Sequence, residues 1–300
     1  MANSTESTNY AIDFMDTFND LAQEKTAKLV ASGVVSMESI NGEQKAIDQV
    51  GTTKAREITG KVVKVQFDEI EHLRRALRTK RYVLTIPVDK ASVQDLARDP
   101  SGKYAEQCVA AFNRLKDQIV VTAATADVFT GEDFSTTVDF ATDGGRTVDA
   151  TATGLTYEKI REIKSKQTAV ATGSDNGEMA VLAITESEQD DMLAETELTS
   201  GDFDRLQTID GNGSIVKALG INIVQFASET ADPTLKVSGG VRDCIAFAGD
   251  SVALGVHTEP NVEIKDISDQ YYETNAVFIT ARMGAVRREG VRILKVQTTA

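Results

Sequence analysis

The sequence predicts an α+β fold, and three observations carry that prediction. One long amphipathic helix falls mid-chain. A continuous apolar run at 179–184 has the length of a buried strand. Helices and strands follow one another without the regular βαβ repetition of a parallel α/β sheet. At 300 residues and 41% apolar content, the chain can bury one large core or two modest ones. Its 32 basic and 46 acidic residues give a formal charge of −14. That balance favours solubility and disfavours nonspecific attraction to nucleic acid or anionic membrane, while leaving room for a local basic patch. No apolar run approaches the ~20 residues that span a bilayer, and residues 1–5 lack the basic and apolar regions of a secretory signal.

Residues 1–10 are polar and extended. Phe14, Phe18, Leu21 and Leu29 then share one stripe at helical spacing over 12–31, interrupted by Lys25. A helix so near a terminus must dock to be stable, on its own domain or as an arm on a neighbouring subunit. Over 52–88, Val62, Val63, Val65 and Phe67, then Val83, Leu84 and Ile86, suggest the two arms of a hairpin, the second ended by Pro87. Charged residues from Asp68 to Arg75 form its tip, and the window 72–81 holds Arg74, Arg75, Arg78, Lys80 and Arg81 with no acid. An isolated hairpin is marginal in water, so this one folds onto its own domain or reaches a partner.

Asp99 can cap the long helix with Pro100 at its first position. Tyr104, Cys108, Phe112, Leu115, Ile119 and Ala123 repeat at spacings of three and four, giving about 25 residues and roughly 38 Å. Such a length must project or bridge elements. Residues 130–153 read as β structure and loop, with a turn at 143–146. A new unit starts near Gly154. Thr156 caps a helix with Ile160 and Ile163 inward. After the 179–184 strand, Thr185 and Glu188 form a capping box opening a helix that carries Met192, Leu193 and Leu198. Strands follow at 220–224 and 244–248, then a short helix from Asp250 through Leu254 and a strand at Val262 and Ile264. Val277, Ile279, Ala281 and Met283 alternate, residues 287–290 turn, and Val291 to Val296 return as a C-terminal hairpin.

Enzyme chemistry finds no support. His72 and His257 are the only histidines, and neither stands in a zinc-ligand spacing. Cys108 and Cys244 read as small buried hydrophobes, and nothing points to the oxidising compartment a disulfide would need. No G-x-S-x-G elbow or phosphate-binding glycine loop occurs, and Asp202, Asp204 and Asp210 lack the spacing of a calcium loop. No catalytic, cofactor-binding or metal-binding residue is assigned, and no cofactor is expected. Charge is uneven, however. Residues 186–204 hold eight acids and no base, opposite in sign to the 72–81 window. Such patches either steer self-association or are two independently solvated surfaces.

A helical N-terminal segment, a long basic hairpin and the start Asp99-Pro100-x-x-x-Tyr104-Ala105 of a long helix occur in that order. Asp243-Cys244-Ile245-Ala246-Phe247-Ala248, the segment from Val262-Glu263-Ile264 to Tyr272, and Ala281-Arg282-Met283-Gly284-Ala285-Val286-Arg287 follow. This order, over nearly the whole chain, resembles the major capsid proteins of tailed phages, which share the Hong Kong 97-type fold. The resemblance implies an N-terminal arm at 1–33 and an extended loop at 52–88. It implies a peripheral domain at 34–51, 89–153 and 269–300, with a spine helix at 103–127, and an axial domain at 154–268. By the same resemblance the chain is not an enzyme. It would self-assemble through hexamers and pentamers into an icosahedral shell enclosing the double-stranded DNA genome of a tailed phage. The virion would be assembled in the host cytoplasm, without a membrane. The expected partners are its own copies, a portal, weakly held DNA and, because the chain begins almost at the arm, a separate scaffold protein or none. Phe14, Phe18, Arg74, Arg75, Arg78 and Arg81 are the expected inter-subunit contacts. Reversing charge at Arg74 and Arg75 should then impair assembly and spare the fold. Lys61, Lys64 and Lys80 lie in the loop, but no motif singles one out for a crosslink. Two other readings stand beside this one: a nanocompartment shell of the same fold, marked by a cargo groove, and a soluble enzyme or binding module, marked by a concave pocket.

Overall fold

The computed structural model describes residues 23–57, 67–89, 101–149, 153–199, 207–209, 213–228, 233–267 and 274–299. Its helices are α1 (Lys28–Ala31), α2 (Ser101–Thr125), α3 (Tyr157–Thr168), α4 (Glu186–Ala194) and α5 (Thr196–Thr199). The strands form three sheets. One orders β1 (Val35–Ser39), β14 (Val252–Asp266), β15 (Thr274–Arg287) and β4 (Lys80–Asp89). A second orders β2 (Gln44–Val50), β3 (His72–Arg78), β5 (Val128–Thr130) and β6 (Thr136–Val138). The largest orders β7 (Arg146–Val148), β16 (Ile293–Thr299), β13 (Val241–Ala248), β8 (Ala180–Thr185), β11 (Ile221–Phe226), β10 (Ile215–Ala218) and β9 (Gln207–Ile209), with β12 (Val237–Ser238) beside β13.

The largest sheet carries the main core. Every residue of β8 is buried, because the strand sits between β13 and β11 in the middle of the sheet and is covered on both faces. Ile160 and Ile163 of α3 turn inward, and the Thr185/Glu188 capping box opens α4 as predicted. Leu198 lies on the separate turn α5. The long helix explains its own length by bridging two cores. Cys108 and Phe112 pack against Ile279, Ala281 and Met283 of β15, while Val120 and Ala124, on a second stripe, enter the main core. Tyr104 stays outside, 37% exposed. Asp99 and Pro100 lie outside the described residues.

Several expectations change. The helix read from Asp250 to Leu254 is the start of β14, where Val252, Ala253 and Leu254 are consecutively buried. A strand covered on both faces shows no period of two, so its pattern does not separate it from a buried helix. The C-terminal hairpin does not form. β15 lies between β14 and β4, whereas β16 lies between β13 and β7, so the chain changes sheets across 288–292. Pro87 does not end its strand but sits inside β4, which tolerates it as the edge of its sheet. Helix in the 12–31 segment is limited, among the described residues, to Lys28–Ala31, with residues 23–27 non-helical. Phe14, Phe18 and Leu21 lie outside the described residues, as do Val62, Val63 and Val65.

Candidate inter-subunit surfaces

β3 and β4 form one extended run, interrupted only at Thr79. β4 pairs with β15 from Asp89↔Thr274 to Lys80↔Met283. β3 continues past it, crossing so closely over Gly284 that a Cβ there would lie 1.9 Å from the Arg78 carbonyl oxygen. β2 pairs with β3 from Gln44↔Arg78 to Val50↔His72, and the Gly51 amide donates to the Glu71 carbonyl at 2.8 Å. The connection between the two paired strands is therefore 51–71, of which 58–66 lie outside the described residues. The basic window stands at its root rather than at its tip, which corrects the hairpin expected from sequence. Ala76 and Leu77 are buried there, and Leu77 packs with Ile40, Val128, Ala253 and Val286, so β3 is a core strand despite its arginines. Beyond the root, Val50, Phe67, Ile70 and Leu73 face water, Phe67 at 91% exposure. Clustered exposed apolar side chains mark an interaction surface.

The arginines of the window have separate fates. Arg74 is exposed and paired to Asp48 at 2.6 Å, a surface contact of small energetic value. Arg78 stacks over the Phe129 ring, 3.8 Å from its centroid. Arg81 points into solvent. Arg75 is buried, donating to both Asp143 oxygens at 2.8 and 2.6 Å. Arg287, fully buried at the end of β15, donates Nε to the same carboxylate at 2.6 Å, Nη2 to the Val138 carbonyl at 3.2 Å and Nη1 to the Ala126 carbonyl. Burial pushes the Asp143 carboxyl up, but the hydrogen bonds and charges of Arg75 and Arg287 outweigh it and hold the group below the usual carboxylate range. Charge reversal at Arg75 would therefore break the fold. This overturns the expectation that an Arg74/Arg75 reversal spares it.

Residues 23–29 dock on the chain's own long helix. Asp117 of α2 accepts the Lys28 and Leu29 amides at 2.7 and 3.1 Å, serving as a cap supplied from a distant element. Arg114 Nη1 donates to Gln23 Oε1 at 2.8 Å and the Glu24 carbonyl at 3.0 Å, and Asn113 Nδ2 donates to the Lys25 carbonyl at 2.9 Å. Burial raises Asp117 to about 6, against the lowering effect of the amides. A raised carboxyl contributes stability that is fully present below its unfolded pKa of 3.8 and lost as pH rises through about 6. Asp117→Asn, which cannot ionise, should therefore gain on wild type by about 3 kcal/mol between pH 3.5 and 7.5. Urea denaturation of both proteins at both pH values checks this, and a constant difference would refute it.

Three acids of the acidic segment are engaged within the chain. Glu186 accepts from the Ser228 hydroxyl and amide, Glu188 is buried against Arg242, and Asp191 accepts the Leu155 amide at 3.0 Å. Asp202, Asp204 and Asp210 lie outside the described residues. His72 is exposed on β3, and His257 is exposed with its Nδ1 2.8 Å from Thr258 Oγ1. Cys108 and Cys244 are free and buried, and burial raises both thiols. Among the described residues no group of three or more His, Cys, Asp or Glu could hold a metal ion, and no helix is long and apolar enough to cross a membrane.

Comparison with known proteins gives one family. The model described as "Phage capsid protein" matches residues 7–299. A chain of the acid-stable capsid structure of Helicobacter pylori bacteriophage KHP30 superposes with a TM-score of 0.73 at 10% identity, covering 100% of this chain and 98% of that one. Cyanophage Pam1 capsid gives 0.67 at 12% identity, over 100% and 99%. Cyanophage P-SCSP1u capsid gives 0.67 at 14%, over 95% and 93%. At these identities the likeness is one of fold, the Hong Kong 97-type. No curated protein matches in sequence.

Proposed function

The chain belongs to the phage capsid protein family, and we propose that it closes an icosahedral shell by joining its copies into hexamers and pentamers. Its function is that of a major capsid protein, a structural wall unit of the virion. The observation that carries the assembly reading is the apolar surface at the ends of the 51–71 connection, where Phe67 stands almost wholly in water beside exposed Ile70 and Leu73. A single chain cannot cover that surface, and a ring neighbour can.

In this reading the loop rests on an adjacent copy. The largest sheet is the axial domain and takes in β7 and β16, while α2 with the β1–β14–β15–β4 sheet is the peripheral domain. Relative to the sequence-based division, 252–266 moves to the peripheral domain and 293–299 to the axial one. A portal, a separate scaffold protein, weak contact with packaged double-stranded DNA and assembly in the host cytoplasm complete the proposal. Negative-stain microscopy and light scattering of the full chain, with and without scaffold, test it. Capsomers or closed particles are expected, and monomers under every condition would overturn it.

A further inference from the structure

On the four-stranded sheet Arg81 has no counter-ion from its own chain among the described residues, and Arg282 beside it has only one, loosely held at the surface. Strand register sets Thr258, Arg282 and Arg81 opposite one another across β14, β15 and β4. They share the face away from α2, because Ile279, Ala281 and Met283 point toward Cys108 and Phe112. An irregularity between Val256 and Thr258 adds His257 to the same depression, a concavity of ≈ 390 Å³ that also takes in Val83 and Thr280. Arg282 Nε donates to Thr79 Oγ1 at 3.0 Å, and its one acidic neighbour among the described residues is Glu43, 3.5 Å away with a side chain 91% exposed. Arg81 has no ion-pair or hydrogen-bond partner among the described residues. Like charges directly opposite one another in a sheet are destabilising. In a chain of net charge −14, such a pair reads as a receptor for acids from outside.

The loop carries such acids. Glu69 and Glu71 are exposed, without an ion-pair partner among the described residues, beside exposed Phe67 and Ile70. Val83, 65% exposed next to Arg81, offers those side chains an apolar seat. The two surfaces cannot meet within one chain. They are separated by the β3–β4 run, whose ten residues at about 3.3 Å each allow up to about 33 Å between Glu71 and Arg81. We infer that residues 67–71 of one copy dock on the Arg81–Arg282–His257 face of the next, with Glu69 and Glu71 supplying the counter-charge that Arg81 lacks. This inference rests on the shell reading and adds to it the residues that receive the loop.

A chain carrying both Glu71→Cys and Arg81→Cys, oxidised mildly after assembly, tests the contact. Native Cys108 and Cys244 are buried and should stay silent. The 7 extended residues of β3 between the two positions keep them beyond the reach of an internal bridge. The expected result is a ladder of covalent multimers on a non-reducing gel, absent from either single-cysteine variant. Particles without that ladder overturn the inference and leave the shell reading standing, whereas wild-type protein that forms no particles overturns both. Charge exchange is the second arm. Arg81→Glu should lower particle yield about ten-fold or more, and adding Glu69→Arg with Glu71→Arg should restore it. Normal assembly of Arg81→Glu, or no recovery on exchange, overturns the pairing. Normal particles that retain less DNA would assign the face to phosphate instead.

Discussion

Asp143→Ala is expected to cost about 3–5 kcal/mol, because it leaves two guanidinium groups buried without their counter-ion. Arg75 and Arg287 are 5% and 0% exposed and converge on this one carboxylate. Their other partners are neutral: the Gln49 side chain and the carbonyls of Arg287, Ala126 and Val138. Removing Asp143 therefore strands positive charge in the interior, the most expensive way to break a buried pair. The carboxyl is held below its unfolded value of 3.8, so its contribution is present above that pH and lost as pH falls through the lower folded value. Asp143→Asn, which cannot ionise, should accordingly lose most relative to wild type at neutral pH and least in acid. Denaturation at pH 7 and pH 3, with hydrogen exchange of the β3 amides, measures both effects. A neutral-pH loss below about 1 kcal/mol would remove the cluster from the stability argument.

The Asp143 cluster also bears on assembly. It ties together β3, the turn at Asp143, the C-terminal end of α2 through the Ala126 carbonyl, and the end of β15. These elements meet on β3, three residues from its start at His72. An apolar replacement of a whole buried ion cluster is often neutral for stability, so stability alone does not explain its presence. Directionality does. Fork-shaped guanidinium groups fix the β3 crossing at one angle, which apolar packing specifies less tightly. In the proposed shell, a loop that lands on a neighbour needs that fixed root.

Local patterns were the legible part of this fold. The α2 stripe, the 179–184 strand and the Thr185/Glu188 capping box each follow from residues within a turn or two of one another. What the sequence concealed depends on distant partners. Arg75 sits in a run that reads as solvated, and its partner lies 68 residues away. Asp117 reads as a polar position on a helix, and the amides it caps are 88 and 89 residues upstream. β16 looks like the return of β15 by proximity in sequence, yet it pairs with β13 and β7. Of the expected contact residues among those described, Arg81 alone is exposed with neither an acid nor an aromatic ring against its guanidinium, a distinction that no count of charges in the window could make.

Glu188→Ala should match Asp143→Ala in size, a loss of about 3–5 kcal/mol, through two mechanisms acting on one side chain. Glu188 is fully buried and closes the capping box by accepting the Thr185 amide at 3.0 Å and the Thr185 hydroxyl. It also accepts from Arg242 Nη1 at 2.9 and 3.1 Å and from the Thr298 hydroxyl at 2.9 Å. The cap alone is worth about 1 kcal/mol. The larger part comes from Arg242, which would remain buried with Thr185 Oγ1 as its remaining close acceptor. Burial pushes the Glu188 carboxyl up, but the Thr185 and Thr298 hydrogen bonds and the Arg242 charge hold it below 4.5, so this contribution too is present above that value and fades as pH falls through the folded one. Arg242→Met added to Glu188→Ala separates the mechanisms, since it removes the stranded charge and leaves the lost cap. The double variant is expected to be more stable than Glu188→Ala alone, with the residual deficit reporting the cap. If the double variant instead loses the sum of the two single losses, the ion pair is not coupled and the cap explanation must carry the whole effect. Because Glu188 joins the β8–α4 junction to β13 and β16, the expected loss is of the sheet's central packing, and hydrogen exchange should register it across all three strands together.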